Sequence, residues 1–290
     1  MIKFLFWNIK RQNTTNIGDW LEEIIEVEEP DILLLAESNV NPKFIEAISN
    51  LKFIDTRVRG EKYGKQVNLQ LYSNNNGFGI KKIMSTKENH ILSFFLIKEN
   101  RKYLINGCHF ISKITESDID KLTKHFNKYS KHINDIKLTE ETKEEIKLSG
   151  TILFGDFNVN PFERPFNNPD GIFTFNCMSP LKSKTNITYY LNPTYSILGP
   201  FRTDKLGNFV SPGTYYFKAK DRDKPSQYYW NSPDGMLFSD ELIKQYIDGQ
   251  QLEIITYIIQ NGNPKYLIDI NKRKFKIPSD HLPIKFAFNI

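Results

Sequence analysis

The hydrophobic pattern begins with short apolar runs separated by a stretch of helical periodicity. Residues 2–8 form an apolar run that predicts a buried strand, and residues 31–36 form a second run of central-strand type. Between them, apolar residues recur every three or four positions opposite an acidic face, which predicts an amphipathic helix that ends at Pro30. The apolar face of this helix consists of Trp20, Leu21, Ile24 and Ile25.

The next part of the chain is rich in strand-like segments. A short helix is predicted over residues 44–51, followed by strands over 67–72, 91–97 and 102–110. The polar residues 98–101 between the last two strands predict a hairpin.

A long apolar stripe then predicts a helix from Ile119 to Ile136, with Thr139 as the cap of a short extension. A central strand is expected over 151–155, loops and short strands over 159–230, and two late strands over 252–259 and 282–290. Because strands and helices interleave throughout, the class is α/β or α+β with two sheets.

Composition narrows the class of protein. Of the 290 residues, 39% are hydrophobic and 25% are charged, which is typical of a globular chain and excludes a wholly disordered one. No apolar run reaches the about eighteen residues of a membrane span, and the apolar start is too short for a signal peptide. Two cysteines, Cys108 and Cys177, exclude a disulfide scaffold, so we expect a cytoplasmic protein.

Charge leaves two interpretations open. The formal net charge of +5 is compatible with a polyanionic partner. Basic residues that are grouped along the sequence can form a phosphate-binding rim, or they can be solvated loops. The three groups are Arg57, Arg59, Lys62 and Lys65; Lys218, Lys220, Arg222 and Lys224; and Lys272, Arg273, Lys274 and Lys276.

Polar residues that can carry chemistry stand at the ends of the predicted strands. Loops at strand ends are where rigid scaffolds present reactive groups, so the repetition of this pattern at six strand ends indicates an active site. The residues are Asn8, Glu37, His109, Asp156 with Asn158, Asp234, and Asp280 with His281.

These residue types suit phosphoester hydrolysis by in-line attack of water. Glu37 and Asp280 are hard oxygen ligands of the kind that Mg²⁺ prefers. His281 can act as a general base if a carboxylate orients it, and Asp234 is the candidate. Amide hydrogens of Asn8 and Asn158 can bind phosphate oxygens. His109 can donate a proton or a hydrogen bond to the phosphate as charge develops.

The motifs around these residues resemble the endonuclease/exonuclease/phosphatase superfamily, which includes pancreatic deoxyribonuclease and the apurinic-site endonucleases. Their order and spacing match that superfamily along the whole chain. The motifs are Phe6-Trp7-Asn8-Ile9, Leu34-Leu35-Ala36-Glu37-Ser38, Asn106-Gly107-Cys108-His109, Phe154-Gly155-Asp156-Phe157-Asn158, Asp234-Gly235-Met236-Leu237-Phe238-Ser239 and Ser279-Asp280-His281-Leu282-Pro283.

The resemblance implies a four-layer αββα sandwich over a single domain, residues 1–290, with a divalent-metal site where the loops of both sheets meet. The metal, Mg²⁺ or Mn²⁺, would lie among Asn8, Glu37 and Asp280. Asp234 would orient His281, the catalytic base or electrostatic partner. Asp156 would position or activate the water or assist the leaving group, and Asn158 would bind the scissile phosphate.

His109 resembles the histidine of deoxyribonuclease-like, sphingomyelinase-like and inositol-phosphatase-like members, where apurinic-site endonucleases carry a tyrosine. The acidic partner of that histidine in deoxyribonucleases is missing: Gln70 stands there, and Glu61 is a poor substitute. The minor-groove arginine that follows the glutamate is missing too, with residues 38–41 in its place.

The function predicted from these residues is a metal-dependent nuclease that cleaves DNA or RNA, acting as a monomer without a membrane segment. The alternative is a phosphatase or phosphodiesterase for a lipid headgroup or another small phosphoester, because fold does not choose the substrate. The aromatic segment from Tyr189 to Trp230 also has two interpretations, base stacking or strand core.

Overall fold

Two large sheets carry most of the chain. The computed structural model describes residues 1–54, 69–83, 90–144, 147–176, 188–198, 203, 211–216, 230–269 and 274–290. The strands are β1 (Ile2–Asn8), β2 (Ile32–Ala36), β3 (Lys52–Ile54), β4 (Leu69–Ser73), β5 (Gly79–Lys82), β6 (Ile91–Lys98), β7 (Arg101–His109), β8 (Gly150–Asp156), β9 (Thr174–Phe175), β10 (Tyr190–Leu191), β11 (Tyr215–Tyr216), β12 (Trp230–Asn231), β13 (Asp234–Phe238), β14 (Gln250–Ile254), β15 (Tyr257–Gln260), β16 (Asn263–Tyr266), β17 (Ile268–Asp269), β18 (Lys274–Phe275) and β19 (Ile284–Phe288).

Within the described ranges the helices are α1 (Thr14–Glu28), α2 (Pro42–Ile48), α3 (Ile119–Glu144), α4 (Arg164–Asn167) and α5 (Ile243–Ile247), with short 3₁₀ turns at Pro193–Ile197 and Asp240–Leu242. Two of the helices, α1 and α3, connect strands that pair in parallel, β1 with β2 and β7 with β8. Asn13 caps the start of α1 by accepting a hydrogen bond from the backbone N–H of Asn16.

Each large sheet is mixed. The first has the strand order β14-β19-β1-β2-β4-β3 and the second has the order β5-β6-β7-β8-β13-β10-β9. In the first sheet, β1 pairs with β2 in parallel and with β19 in antiparallel orientation. In the second, β8 pairs with β7 in parallel and with β13 in antiparallel orientation.

Alternation of side chains along β1 shows how the layers form. Phe4 and Phe6 enter a core that also contains Phe94 and Phe154 of the second sheet. Leu5 and Trp7 point to the opposite face and enter a core shared with α1 and α2. A third core joins the second sheet to α3. The layers therefore run helix, sheet, sheet, helix, which confirms the predicted four-layer αββα sandwich.

Pairing direction brings the functional strand ends to one edge. The carboxyl ends of β1 and β2 lie side by side because these strands are parallel, and β7 and β8 are related in the same way. The antiparallel strands β13 and β19 contribute their amino ends to this edge. Four carboxyl ends and two amino ends thus meet there.

Two sequence predictions differ from the structure. The long helix is continuous to Glu144, past Thr139. The strand predicted over 252–259 is two strands: β14 pairs with β19 as far as Ile254, and β15 then leaves the sheet to pair with β16.

Other predictions concern burial and the membrane. Cys108 is fully buried in the third core. Among the helices of the described residues, none is long and apolar enough to span a bilayer. Outside the described residues lie Glu61, Cys177, the first two basic groups, Lys272 with Arg273, and much of the aromatic segment.

Candidate active site

Asn8 links the two sheets at the centre of the site. Its side-chain Nδ2 donates a hydrogen bond to Oδ2 of Asp156 at 2.8 Å and lies 3.4 Å from Oε1 of Glu37. Asn8 ends β1 in the first sheet, whereas Asp156 ends β8 in the second. The side chains of both residues are buried, so this bond fixes the relative position of two strand ends.

Glu37 follows β2 directly and lies among cationic groups. Its Oε1 is 3.5 Å from Nε2 of His109, and its Oε2 is 3.4 Å from Nε of Arg11. The hydrogen-bonding contact from His109, together with the charges of His109 and Arg11, outweighs burial and lowers the pKa of Glu37 to about 2. Glu37 is therefore an anion over the whole physiological pH range.

His109 faces Glu37 and Asp156 from the end of β7. Its Nε2 lies 4.0 Å from Oδ2 of Asp156, its register partner on β8. Burial acts to lower the pKa of His109, but the contact with Glu37 and the charges of Asp156 and Glu37 raise it above its ordinary value. The imidazole is thus suited to carry a positive charge beside the phosphate position.

Asp234 and His281 form a buried pair. Nδ1 of His281 lies 2.8 Å from Oδ2 and 3.1 Å from Oδ1 of Asp234. Burial acts to lower the pKa of His281, but the charge and the hydrogen bond of Asp234 raise it to about 9. The structure thus brings together the base and the orienting acid that the sequence proposed as a pair.

Neighbouring residues hold the backbone and the ring of His281. The indole Nε1 of Trp7 donates to the carbonyl of His281 at 2.9 Å. The hydroxyl of Ser279 donates to the carbonyl of Asn8 and accepts from the N–H of His281. The ring of Tyr215 lies 4.8 Å from the imidazole, centre to centre. Trp7 is buried as predicted, but it also has this positioning contact.

Asp156 lies between His109 and Asp234 in the second sheet. Gly155, which precedes it, has φ +144°, and a Cβ there would lie 2.0 Å from the carbonyl oxygen of Cys108. The glycine of this motif is therefore required by the close strand pairing. After the strand, Asn158 makes two hydrogen bonds. Its backbone N–H donates to Oδ1 of Asp156, and its side-chain Nδ2 donates to the backbone carbonyl of Phe110. One amide hydrogen of Asn158 remains for a ligand.

Asp280 is the most exposed of the predicted metal-binding carboxylates. Its Oδ2 lies 2.6 Å from Nζ of Lys10. Lys10 and Arg11 were missed by the sequence reasoning. The available signal was their position directly after the Trp7-Asn8 motif, at the start of a loop that joins a functional strand to a helix.

Gln70 does not replace the missing acid of His109. It accepts a hydrogen bond from the hydroxyl of Ser38 and donates one to the carbonyl of Val40, so it supports the loop that follows Glu37. Two acids contact His109 instead, Glu37 at 3.5 Å and Asp156 at 4.0 Å.

The donor set fits a divalent cation. Glu37 and Asp280 offer hard carboxylate oxygens, and Glu37 is anionic down to low pH. Among the described residues, the ligand atoms of Asp156, Asp234 and His281 also lie within 4.8 Å of one another and can hold a metal. Both carboxylate oxygens of Asp234 already lie within hydrogen-bond distance of Nδ1 of His281, which leaves them less available to a metal.

Comparison with solved structures identifies the fold. A family protein from Bacteroides thetaiotaomicron, described as endonuclease/exonuclease/phosphatase, aligns with TM-score 0.52 at 13% identity over 98% of this chain and 96% of its own. Truncated TDP2 from Caenorhabditis elegans aligns with TM-score 0.51 at 12% identity over 99% of this chain and 97% of its own. An AP endonuclease from Archaeoglobus fulgidus aligns with TM-score 0.50 at 12% identity over all of both chains.

No protein-family model and no curated protein matches the sequence. At these identities the structural likeness shows the fold alone: the chain shares the fold of these proteins, as the motif resemblance implied.

Proposed function

We propose that this chain, as one domain over residues 1–290, is a divalent-metal-dependent phosphodiester hydrolase and that its substrate is DNA or RNA. The observation that carries the proposal is the buried Asp234–His281 pair, at 2.8 Å, next to the bond that joins Asn8 to Asp156. An oriented imidazole beside a set of phosphate-binding and metal-binding groups is the arrangement that hydrolysis by water requires.

Proton transfer is assigned to His281. Because Nδ1 is bonded to Asp234, the other ring nitrogen, Nε2, is the atom that exchanges a proton with the attacking water. Asp234 fixes the ring orientation and stabilises the charged imidazolium form of His281. Asp156, held by Asn8 and by the N–H of Asn158, is fixed in position to orient the water or the leaving group.

Phosphate binding is assigned to groups on both sheets. His109 has a raised pKa and provides a positive charge from the end of β7. The remaining amide hydrogen of Asn158 provides a neutral donor. These groups act together when the phosphate lies between the ends of β7 and β8.

Glu37 and Asp280, with Asn8 as a further oxygen donor, would hold Mg²⁺ or Mn²⁺. When bound, this ion supplies positive charge that neutralises the phosphate oxygens as charge develops. The chain contributes the fixed carboxylates, and Asn8 couples their position to Asp156 in the other sheet.

Two facts support nucleic acid as the substrate. The net charge of +5 suits a polyanion. One of the aligned structures is an AP endonuclease. The proposal of a single domain has separate support, because the site residues extend from Asn8 to His281 and nearly the whole chain is needed to form the site.

The test is hydrolysis by the purified chain with Mg²⁺, with Mn²⁺ or with EDTA. The substrates are plasmid DNA, single-stranded DNA, RNA, abasic duplex and phosphoinositide vesicles. We expect cleavage of at least one nucleic acid, dependent on the metal and weaker at high salt. His281→Ala should reduce the rate by about 10²–10⁴-fold. Hydrolysis of headgroups alone would overturn the assignment to nucleic acid.

A matched control variant distinguishes the loss of His281 from the general effect of replacing a histidine. His125 lies in α3, outside the site, and His125→Ala removes the same side chain. Its rate should equal that of the wild type. Cleavage that survives in His281→Ala would refute the assigned role of His281.

A further inference from the structure

Two consecutive basic residues contact the two carboxylates that the proposed metal needs. Nζ of Lys10 lies 2.6 Å from Oδ2 of Asp280, and Nε of Arg11 lies 3.4 Å from Oε2 of Glu37. Each carboxylate thus has its own cation from the loop that follows β1. These two cations neutralise the carboxylate charges that a bound metal would otherwise neutralise.

The backbone of this loop is fixed in an uncommon conformation. Lys10 and Arg11 have φ values of +50° and +58°, in the left-handed region that non-glycine residues seldom adopt. The N–H of Arg11 bonds to the carbonyl of Glu37 at 2.6 Å, and Asn39 Nδ2 bonds to the carbonyl of Arg11 at 2.8 Å. Surrounding contacts therefore maintain two strained residues side by side, which is typical of functional sites.

The side chains, in contrast, are mostly exposed to solvent. The side chain of Lys10 is 57% exposed and that of Arg11 is 77% exposed. Exposed ion pairs of this kind contribute little stability, so releasing them costs little. The loop thus fixes the backbone positions of Lys10 and Arg11, while their charged groups can reach other partners.

We propose that Lys10 and Arg11 are exchangeable counter-ions of the metal site: they compete with the metal for Asp280 and Glu37 and, once displaced, bind the substrate phosphate. Metal and phosphate then bind cooperatively, because the metal releases two cations beside the phosphate position. The inference rests on the metal site of the proposed function and is independent of which phosphoester is the substrate.

A purely structural role for the two ion pairs predicts the opposite change in metal affinity. If Lys10 and Arg11 serve only to orient Asp280 and Glu37, removing either cation loosens a ligand and weakens metal binding. If they compete, removing either cation strengthens metal binding. The sign of the change in the dissociation constant therefore decides between the two roles.

The experiment is calorimetric titration of Mn²⁺ into EDTA-stripped protein. Lys10→Met and Arg11→Met should each bind Mn²⁺ about three- to tenfold more tightly than the wild type, the range expected for loss of one exposed cation. Lys113→Met and Arg164→Met are matched controls, since their ion pairs, with Glu163 and Asp120, involve none of the metal-binding carboxylates. Both controls should leave the Mn²⁺ affinity within about twofold of the wild type.

A conservative variant distinguishes loss of the cation from damage to the fold. Lys10→Arg keeps the cation and should bind Mn²⁺ like the wild type, while circular dichroism and thermal melting of the metal-free variants monitor the fold. Unchanged or weaker Mn²⁺ binding by a folded Lys10→Met would overturn the inference.

Binding of inorganic phosphate tests whether Lys10, once displaced by the metal, contacts the phosphate. Inorganic phosphate should bind the wild type more tightly when Mg²⁺ is present, and Lys10→Met should lose most of that gain. An equal gain in both proteins would overturn the transfer of Lys10 to phosphate. Failure of the proposed function is distinguishable: in that case Mn²⁺ does not bind the wild type, or its binding survives Glu37→Gln.

Discussion

Asn8 and Asp156 are separated by 148 positions in sequence and joined by a 2.8 Å hydrogen bond that crosses from one sheet to the other. Asn8 Nδ2 also lies 3.4 Å from Glu37, so a single amide group connects the proposed metal-binding side of the site to the second sheet. This buried amide therefore helps to align the two sheets at this edge, together with the Asp234–His281 and Glu37–His109 contacts.

Asn8→Ala should destabilise the fold and reduce activity. Its removal leaves the buried carboxylate of Asp156 without this donor, which costs about 1–3 kcal/mol of unfolding free energy. Urea denaturation measures the loss. Asn16→Ala is the control, because the side chain of Asn16 makes an exposed hydrogen bond to Gln12. Equal stability of the two variants would refute a role for Asn8 in joining the sheets.

Asp234→Asn should lower the pKa of His281. The charge of Asp234 raises that pKa to about 9 against the opposing effect of burial, so the neutral amide removes the main cause. Titration of the imidazole protons by NMR in EDTA measures both proteins. A pKa that stays near 9 in the variant would show that Asp234 is not the cause.

The same pair predicts how stability depends on pH. The pKa of His281 is higher in the folded protein than the about 6.5 of an unfolded chain. Its stabilising contribution is therefore complete below about pH 6.5 and is lost as pH rises through about 9. Thermal melting of the EDTA-treated wild type should show this decline, and Asp234→Asn should show much less of it.

Gly155→Ala should be severely destabilising. The added Cβ would lie 2.0 Å from the carbonyl oxygen of Cys108, and φ is +144°. A backbone clash inside a sheet has no flexible side chain to absorb it, so we expect a loss of more than about 3 kcal/mol or failure to fold. Gly79→Ala is the control, because a Cβ there meets nothing within 4 Å. Chemical denaturation or soluble yield compares the two.

Glu37→Gln should abolish stabilisation by metal. A ligand that binds only the folded state raises stability by about 2.7 kcal/mol at one hundred times its dissociation constant. Thermal melting with increasing Mn²⁺ should therefore show a rising midpoint in the wild type and little rise in the variant. Glu116→Gln, in the exposed loop before α3, should behave like the wild type. A full metal response in Glu37→Gln would remove Glu37 from the proposed ligand set.

Residue patterns predicted strands and helices that interleave in two sheets, and the resemblance implied the four-layer sandwich. The apolar run of β1 and the three-four spacing of α1 depend only on neighbouring residues, and each pattern forms one side of a core. Strand ends were harder to predict. The break after Ile254 is the point at which the chain stops pairing with β19, which is distant in sequence, and pairs with β16 instead.

The site residues were predictable for a related reason. Acids, amides and histidines at the ends of apolar runs are visible in sequence, and the motifs of a known superfamily contain them. Their partners were not visible. The contacts of Glu37 with His109 and Arg11, and of Asp280 with Lys10, depend on side-chain directions at separate strand ends.

By itself, therefore, the sequence determined the strands and helices, the order of the functional strands and the types of group at their ends, because hydrophobic periodicity and motif spacing are local properties. The layers were implied by the resemblance of the motifs to a known superfamily. Asp234 and His281 touch as the sequence predicted. The other contacts were decided by the tertiary structure, which joined Asn8 to Asp156 and directed two cations to the carboxylates. These contacts depend on strand register and on the packing of one sheet against the other, which no single segment of the chain contains.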